Sequence, residues 1–358
     1  MRILIGIIIL GVVLFASLQL SEAQQSVSSE KTELTPTVTP SISPVATTEL
    51  ERTIFIPYWN IPTDADKLTL YDRLVYFGIT ATTDGIDKTD DAYKGLSDFM
   101  DLEGDKSKAI TLRMLDTESN TIILEDEALQ EQLIDETINI LRQGDVDELV
   151  LDLEMSVLPV TDVKQNISEF TARLAKKLHA SDMRLSMTVY GDTIYRGRPY
   201  DLKALANSVD EFYLMTYDFH KVHGEPGPNF PFADDNVYPY NFKDMLSDMR
   251  TYVDAENLTV ILGMYGYDWT LGQQGLPLKA AKALSLKDIK AMLGETCELQ
   301  QCKLNKTQEG KEPSVSYKDS DGYMHTVWFE DEESAQEKIK YMQQQGIGSV
   351  AYWVWGYF

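Results

Sequence analysis

A chain of 358 residues that is 43% hydrophobic and 10% aromatic can bury a sizeable core and is too apolar to be disordered. Its 57 acidic against 32 basic side chains give a net charge of −25 with His neutral. That field repels phosphate backbones and anionic headgroups, which argues against nucleic acid and membrane surfaces as partners and leaves neutral or cationic ones open. Four His and two Cys, scattered along the chain, cannot assemble a zinc-type cluster.

Arg2 is followed by an apolar run over residues 3–20 and then by Ser21-Glu22-Ala23, with small residues at −3 and −1 of a cleavage point. Residues 1–23 read as an export signal. The run also just reaches membrane-spanning length, so an uncleaved N-terminal anchor is the alternative and the one route by which this chain meets a membrane. Residues 24–51 are rich in Ser, Thr and Pro without apolar periodicity, an extended linker that cannot bury a core. The folded part, 52–358, is then secreted or associated with the cell envelope. There Cys297 and Cys302 could close a small disulfide loop, two nearby free thiols being the alternative.

From residue 52 onward strand-like and helix-like stretches alternate. Apolar, β-branched or aromatic runs occur in turn at 54–59, 74–80, 109–114, 149–154, 185–190, 212–217, 259–265 and 350–355. Amphipathic segments with apolar residues at three- and four-residue spacing lie between several of them, at 127–142, 163–178, 241–253 and 332–345. Eight strands with intervening helices predict an α/β protein built as one (β/α)8 TIM barrel rather than two domains. A doubly wound open sheet is the alternative, but no Gly-rich phosphate turn follows the first strand, which ends Pro57-Tyr58-Trp59-Asn60. The gap from about 270 to 349 exceeds one crossover helix. Alternation over 311–329 around Ser320-Asp321-Gly322 predicts a small β-hairpin insertion between strands 7 and 8.

Candidate chemistry gathers at strand C-termini, where barrel enzymes keep their sites. The fourth strand reads Asp147-Glu148-Leu149-Val150-Leu151-Asp152-Leu153-Glu154. A period of two puts Val150, Asp152 and Glu154 on one face and Leu149, Leu151 and Leu153 on the other. Two carboxylates on an inward face are costly without work or partners. Like charges at that spacing push one pKa upward, as suits a proton donor near neutral pH. A strand simply running into an acidic loop is the plainer alternative. The sixth strand ends Met215-Thr216-Tyr217-Asp218-Phe219-His220, a phenol and an acid that alone could merely cap a strand. The eighth, Ala351-Tyr352-Trp353-Val354-Trp355, sets Trp353 and Trp355 on one face, each alone an ordinary core aromatic. Together, a barrel mouth floored by Trp and rimmed by acids and Tyr has the character of a sugar site. Ring faces stack on a pyranose, and acids grip hydroxyls or protonate a glycosidic oxygen.

Over most of residues 53–358 the chain resembles the family 18 glycoside hydrolases, the chitinase-like (β/α)8 barrels. Asp147 followed by Asp152-Leu153-Glu154 resembles the signature Asp-x-x-Asp-x-Asp-x-Glu, and Met215-Thr216-Tyr217-Asp218 the Met-x-Tyr-Asp motif. Gly263-Met264-Tyr265-Gly266-Tyr267-Asp268-Trp269 is similar to Gly-x-x-x-Tyr-Gly-x-x-Trp with one residue fewer. Residues 327–334 followed by 346–353 resemble the family's last hairpin, helix and eighth strand. The resemblance implies that Glu154 is the general acid/base, that Asp152 turns toward it and steadies the substrate's acetamido group, and that Tyr217 hydrogen-bonds the acetamido carbonyl. It further implies substrate contacts at Asp218, Tyr265, Tyr58 and Trp353, with Trp355 the alternative floor. The implied substrate is a polysaccharide or oligosaccharide containing N-acetylglucosamine. Its own N-acetyl oxygen attacks the anomeric carbon, giving retention with no second carboxylate nucleophile, no metal and no cofactor.

The departures are specific. Val150 stands where the family usually has its middle Asp, Glu148 where Gly is common, and Leu153 where an aromatic is frequent. Without the middle Asp to share a proton, Asp152 is expected to stay ionised and hydrogen-bond Glu154 more persistently, with a shifted acid limb in the pH–rate profile. The export signal, the linker and Tyr352-Trp353-Val354 carry a looser resemblance to bacterial envelope members that act on peptidoglycan. A glycan-binding, lectin-like barrel with dead catalysis is the competing function, and a scaffold or adhesion module a further one. Monomer is the default oligomeric state.

Overall fold

The computed structural model describes residues 49–62, 65–102, 104–155, 161–233, 237–294, 297–306 and 311–358. The expected export signal or anchor over 1–23, and the linker up to residue 48, lie outside the described residues. Strand β1 (Glu51–Pro57) already takes in Glu51, the last residue assigned to the linker.

After β1 come β2 (Arg73–Thr82), β3 (Gly85–Ile86), β4 (Ser107–Met114), β5 (Glu148–Leu153), β6 (Arg184–Tyr190), β7 (Glu211–Thr216) and β8 (Leu258–Gly263). They are followed by β9 (Tyr265–Leu271), β10 (Lys282–Ser285), β11 (Gln300–Lys306), β12 (Pro313–Lys318), β13 (Met324–Phe329) and β14 (Ser349–Trp353). Strands β1, β2, β4, β5, β6, β7, β8 and β14 pair in that order, all parallel. β14 pairs back onto β1, with Thr53 opposite Ala351, and closes the barrel. The eight runs read from the sequence are these eight strands, so the predicted (β/α)8 barrel is the observed one.

Period-two alternation divides every barrel strand between two cores. Phe55, Val75, Ala109, Val150, Tyr213, Met215, Ile261 and Ala351 fill the barrel interior. Leu149, Leu151 and Leu153 point the other way, into the layer shared with the helices. The long helix Glu127–Gln143 shows how that layer is made. Asp126 caps it by accepting from the backbone N–H groups of Ala128 and Leu129, Gly144 ends it, and Leu133, Ile134, Ile138 and Leu141 are its buried stripe.

The region between β8 and β14 is larger than the hairpin expected there. It is a five-stranded antiparallel sheet in the order β10-β9-β13-β12-β11, with a helix, Leu286–Leu293, between β10 and β11. The alternating segment 311–329 supplies two of its strands, Ser314 lying opposite Trp328. The rest was hidden because only Met264 separates the end of β8 from the start of β9, so a single aromatic run reads as one strand end. Cys297 and Cys302 form a disulfide with Cα atoms 6.1 Å apart, just before and within β11. At the root of the sheet the fully buried Lys338 donates to Glu312 at 2.8 Å and to Glu330, a triad that would be costly with any member unpaired. Glu312 also accepts the backbone N–H groups of Asn229 and Phe230 at 2.5 and 2.9 Å, which fastens the loop after β7 to the inserted sheet.

Candidate active site

The C-terminal ends of the barrel strands enclose a cavity of about 320 Å³. Asp152, Glu154, Tyr217, Asp218, Tyr265 and Trp353 all line it, so six of the candidates converge from four different stretches of chain. Tyr58 and Trp355 are not among its lining residues. Tyr58 packs edge-on against Trp59 at 4.9 Å, below the Arg113 guanidinium. β14 ends at Trp353, so the alternation that would put Trp355 beside it stops there, and Trp355 packs against the outer layer instead.

Trp353 is held edge-on by Phe77 at 4.6 Å and lies at 30° to Tyr217, with ring centres 6.3 Å apart. Its indole thus forms an aromatic floor with the phenol of Tyr217 beside it. Gly263 permits this: a Cβ there would come within 2.7 Å of the Tyr217 Cβ and 2.8 Å of the Tyr265 ring. Asp218 takes a left-handed backbone conformation, φ 59°, at the turn out of β7. Its neighbours over-determine that turn: its N–H donates to Asn229 Oδ1 at 2.8 Å, and its Oδ1 accepts from Tyr267 at 2.6 Å and from Tyr265. The hydroxyl of Tyr265 is therefore committed to Asp218, while its ring faces the cavity.

Asp152, on β5, and Glu154, one residue beyond its end, have different partners. Asp152 is 4% exposed and accepts from the Thr188 hydroxyl at 2.5 Å. Glu154 is half-buried and accepts from the Tyr190 hydroxyl, also at 2.5 Å. Burial first, and the charge of Glu154 second, push the Asp152 carboxyl up to about 7. The hydrogen bond expected between Asp152 and Glu154 is thus made to Thr188 instead, and the carboxyl is raised rather than held at its ordinary value. With Val150 beneath it the carboxyl meets an apolar interior, and desolvation outweighs the loss of a proton-sharing Asp. Its bonded neighbour is Thr188. Burial likewise raises the phenol of Tyr217 well above its ordinary range, so it remains a hydrogen-bond donor at neutral pH.

Five further polar lining residues escaped the sequence reading: Thr188, Tyr190, Asp192, Arg198 and Lys221. Thr188 and Tyr190 sit on β6 at period two, the same signal that exposed Asp152 and Glu154 on β5.

Compared with known protein families, residues 31–357 match Glycosyl hydrolases family 18. The chain belongs to this family. Among curated relatives, the cortical fragment-lytic enzyme of Bacillus anthracis is 27% identical over 239 residues, 65% of this chain and 52% of the relative. That of Bacillus subtilis (strain 168) is 25% identical over 246 residues, 67% and 53% of the two chains. The chain thus spans about half the length of the curated relatives it matches. Its fold is shared with the Bacillus cereus spore cortex-lytic enzyme SleL, with a TM-score of 0.71 at 23% identity over 87% of this chain and 72% of that one. It is shared equally with catalytic domain 2 of the Ostrinia furnacalis Group II chitinase, TM-score 0.71, 17% identity, covering 85% and 89%.

Proposed function

We propose that this chain is an exported glycoside hydrolase that cleaves β-1,4 linkages at N-acetylglucosamine in chitin-like or peptidoglycan glycans, with retention. The observation that carries the reading is the convergence of Asp152, Glu154 and Tyr217 over the Trp353 floor in one cavity. The names of the relatives, lytic for cortical fragments and chitinase, favour the same two substrate classes.

In this reading the reacting sugar stacks on Trp353. Its acetamido carbonyl accepts from the Tyr217 hydroxyl, which holds the carbonyl oxygen beneath the anomeric carbon. Protonated Glu154 gives its proton to the glycosidic oxygen as that oxygen leaves. The carbonyl oxygen forms the new bond to the anomeric carbon, producing a cyclic oxazolinium, with Asp152 beside its N–H. Glu154, now a carboxylate, takes a proton from water as the water opens the ring at the same carbon. Two displacements at one centre restore the starting configuration.

The test incubates the full chain with chito-oligosaccharides and with purified peptidoglycan and identifies products by mass. Glu154→Gln should lower hydrolysis by at least ~10³-fold while sugar binding persists. A wild type that binds these glycans but cleaves none of them would establish the lectin-like reading instead.

A further inference from the structure

We propose that Tyr190 is a positioning residue for Glu154, held in place by an Asp192–Arg198 clamp on its ring. The inference rests on the proposed role of Glu154 and goes beyond it, to a strand none of the sequence motifs include. β6 offers two successive inward side chains, and each donates a hydroxyl hydrogen bond to one carboxylate at the C-terminal end of β5: Thr188 to Asp152 Oδ1 and Tyr190 to Glu154 Oε2, both at 2.5 Å. β6 is thus a donor strand that orients both acids of its neighbour.

The Tyr190 end of this arrangement is braced more heavily than packing alone requires. The Arg198 guanidinium carbon lies 3.7 Å from the centre of the Tyr190 ring. Its Nε and one terminal nitrogen donate to the two oxygens of Asp192, at 2.6 and 3.1 Å. Asp192 is 4% exposed and also takes Arg196 Nε at 2.5 Å. The chain reaches this clamp through Gly191, where a Cβ would sit 2.8 Å from the Phe230 ring and 2.9 Å from the Met215 carbonyl oxygen. A cation over the ring draws electron density from the phenol and makes its O–H a stronger donor. Burial keeps that phenol far above its ordinary pKa, so the proton stays on it throughout the cycle. With Oε2 fixed by Tyr190, Oε1 is the oxygen left to serve the glycosidic oxygen, and the carboxyl plane is set before substrate arrives.

The test compares wild type, Tyr190→Phe, Glu154→Gln and the double variant in the full chain on a GlcNAc oligosaccharide. Tyr190→Phe should lower kcat ~10- to 100-fold with KM changed by no more than about twofold. In the Glu154→Gln background the same substitution should cost nothing further, because its target is gone. Arg198→Gln, which leaves the phenol in place, should lower kcat by about three- to tenfold and gives the reading should Tyr190→Phe fail to fold. An unchanged kcat in both variants, a loss confined to KM, or multiplicative losses in the double variant would each overturn the positioning role. A wild type inactive on every GlcNAc polymer brings down the proposed function, and this inference with it. An active wild type matched by Tyr190→Phe brings down the inference alone.

Discussion

Strand β5 carries buried acids at both ends of the barrel, and the two ends treat them in opposite ways. At the N-terminal end Glu148 meets the Arg73 guanidinium at 3.3 Å, which also holds Glu211 and the Tyr213 oxygen at 2.7 Å each and Glu51 at 2.7 Å. At the C-terminal end Asp152 and Glu154 form no ion pair among the described residues. The guanidinium on the neighbouring strand, Arg113, is committed to Asp90 at 2.7 Å. Burial raises both Glu148 and Asp152; after burial the strongest influence is the opposing Arg73 cation at Glu148, ahead of the added charge of Glu211, whereas at Asp152 it is the added charge of Glu154, ahead of the opposing Thr188 hydroxyl and Arg113. One end is neutralised. The other keeps a proton poised, which stability alone would not favour and proton transfer requires.

The largest effect should come from breaking the neutralised end. Arg73→Met leaves Glu148 and Glu211 buried with no adequate counter-charge and should destabilise the fold by about 3–5 kcal/mol, read from denaturant melts at neutral pH. Adding Glu148→Gln should return part of that loss, since an amide tolerates the site without a cation. A variant that melts with wild type would show that water reaches this end and that the contrast between the ends is not electrostatic.

The sequence revealed the reactive end better than the neutralised one, for a physical reason. Asp152, Glu154, Tyr217 and Trp353 announce themselves because polar groups at the ends of apolar strands break a local pattern, and period two then fixes which face they share. Arg73, Glu148 and Glu211 break the same pattern at strand starts, but their meaning lies in mutual contact across the barrel, between residues 75 and 138 positions apart. No local period encodes that. The inserted sheet was underestimated for a related reason, because pairings such as Val327 with Asp268 join strands distant in the chain. Val150 misled differently: its identity was read as a missing partner for Asp152, when its place is in the apolar barrel interior beneath that carboxyl.

A second, smaller effect tests the poised end. Asp152 has its carboxyl raised to about 7 in the folded chain against an ordinary 3.8. The folded state therefore binds the proton more tightly than the unfolded one. Its contribution to stability is full below about pH 3.8 and is lost as pH rises toward about 7. Asp152→Asn keeps a neutral group there at every pH. Relative to wild type it should gain roughly 2–4 kcal/mol between pH 4 and pH 8 while hydrolysis falls. Parallel stability curves for the two proteins across that range would mean that the carboxyl is not desolvated, and the opposition between the ends would collapse.

The smallest effect identifies which cation does the neutralising. Arg184 also approaches the carboxylates of the N-terminal end, at 3.3 Å from Glu211 and 4.0 Å from Glu148, but its side chain is 49% exposed where that of Arg73 is 7%. Water already solvates a guanidinium in that position, so its attraction for Glu211 is screened by solvent and by salt. Arg184→Ala should cost less than about 1 kcal/mol, and the cost should shrink further in high salt, whereas the Arg73→Met penalty should barely respond to salt. If Arg184→Ala instead matched Arg73→Met, the neutralising charge would be shared with the surface. The depth of the cation would then not be what sets the cost.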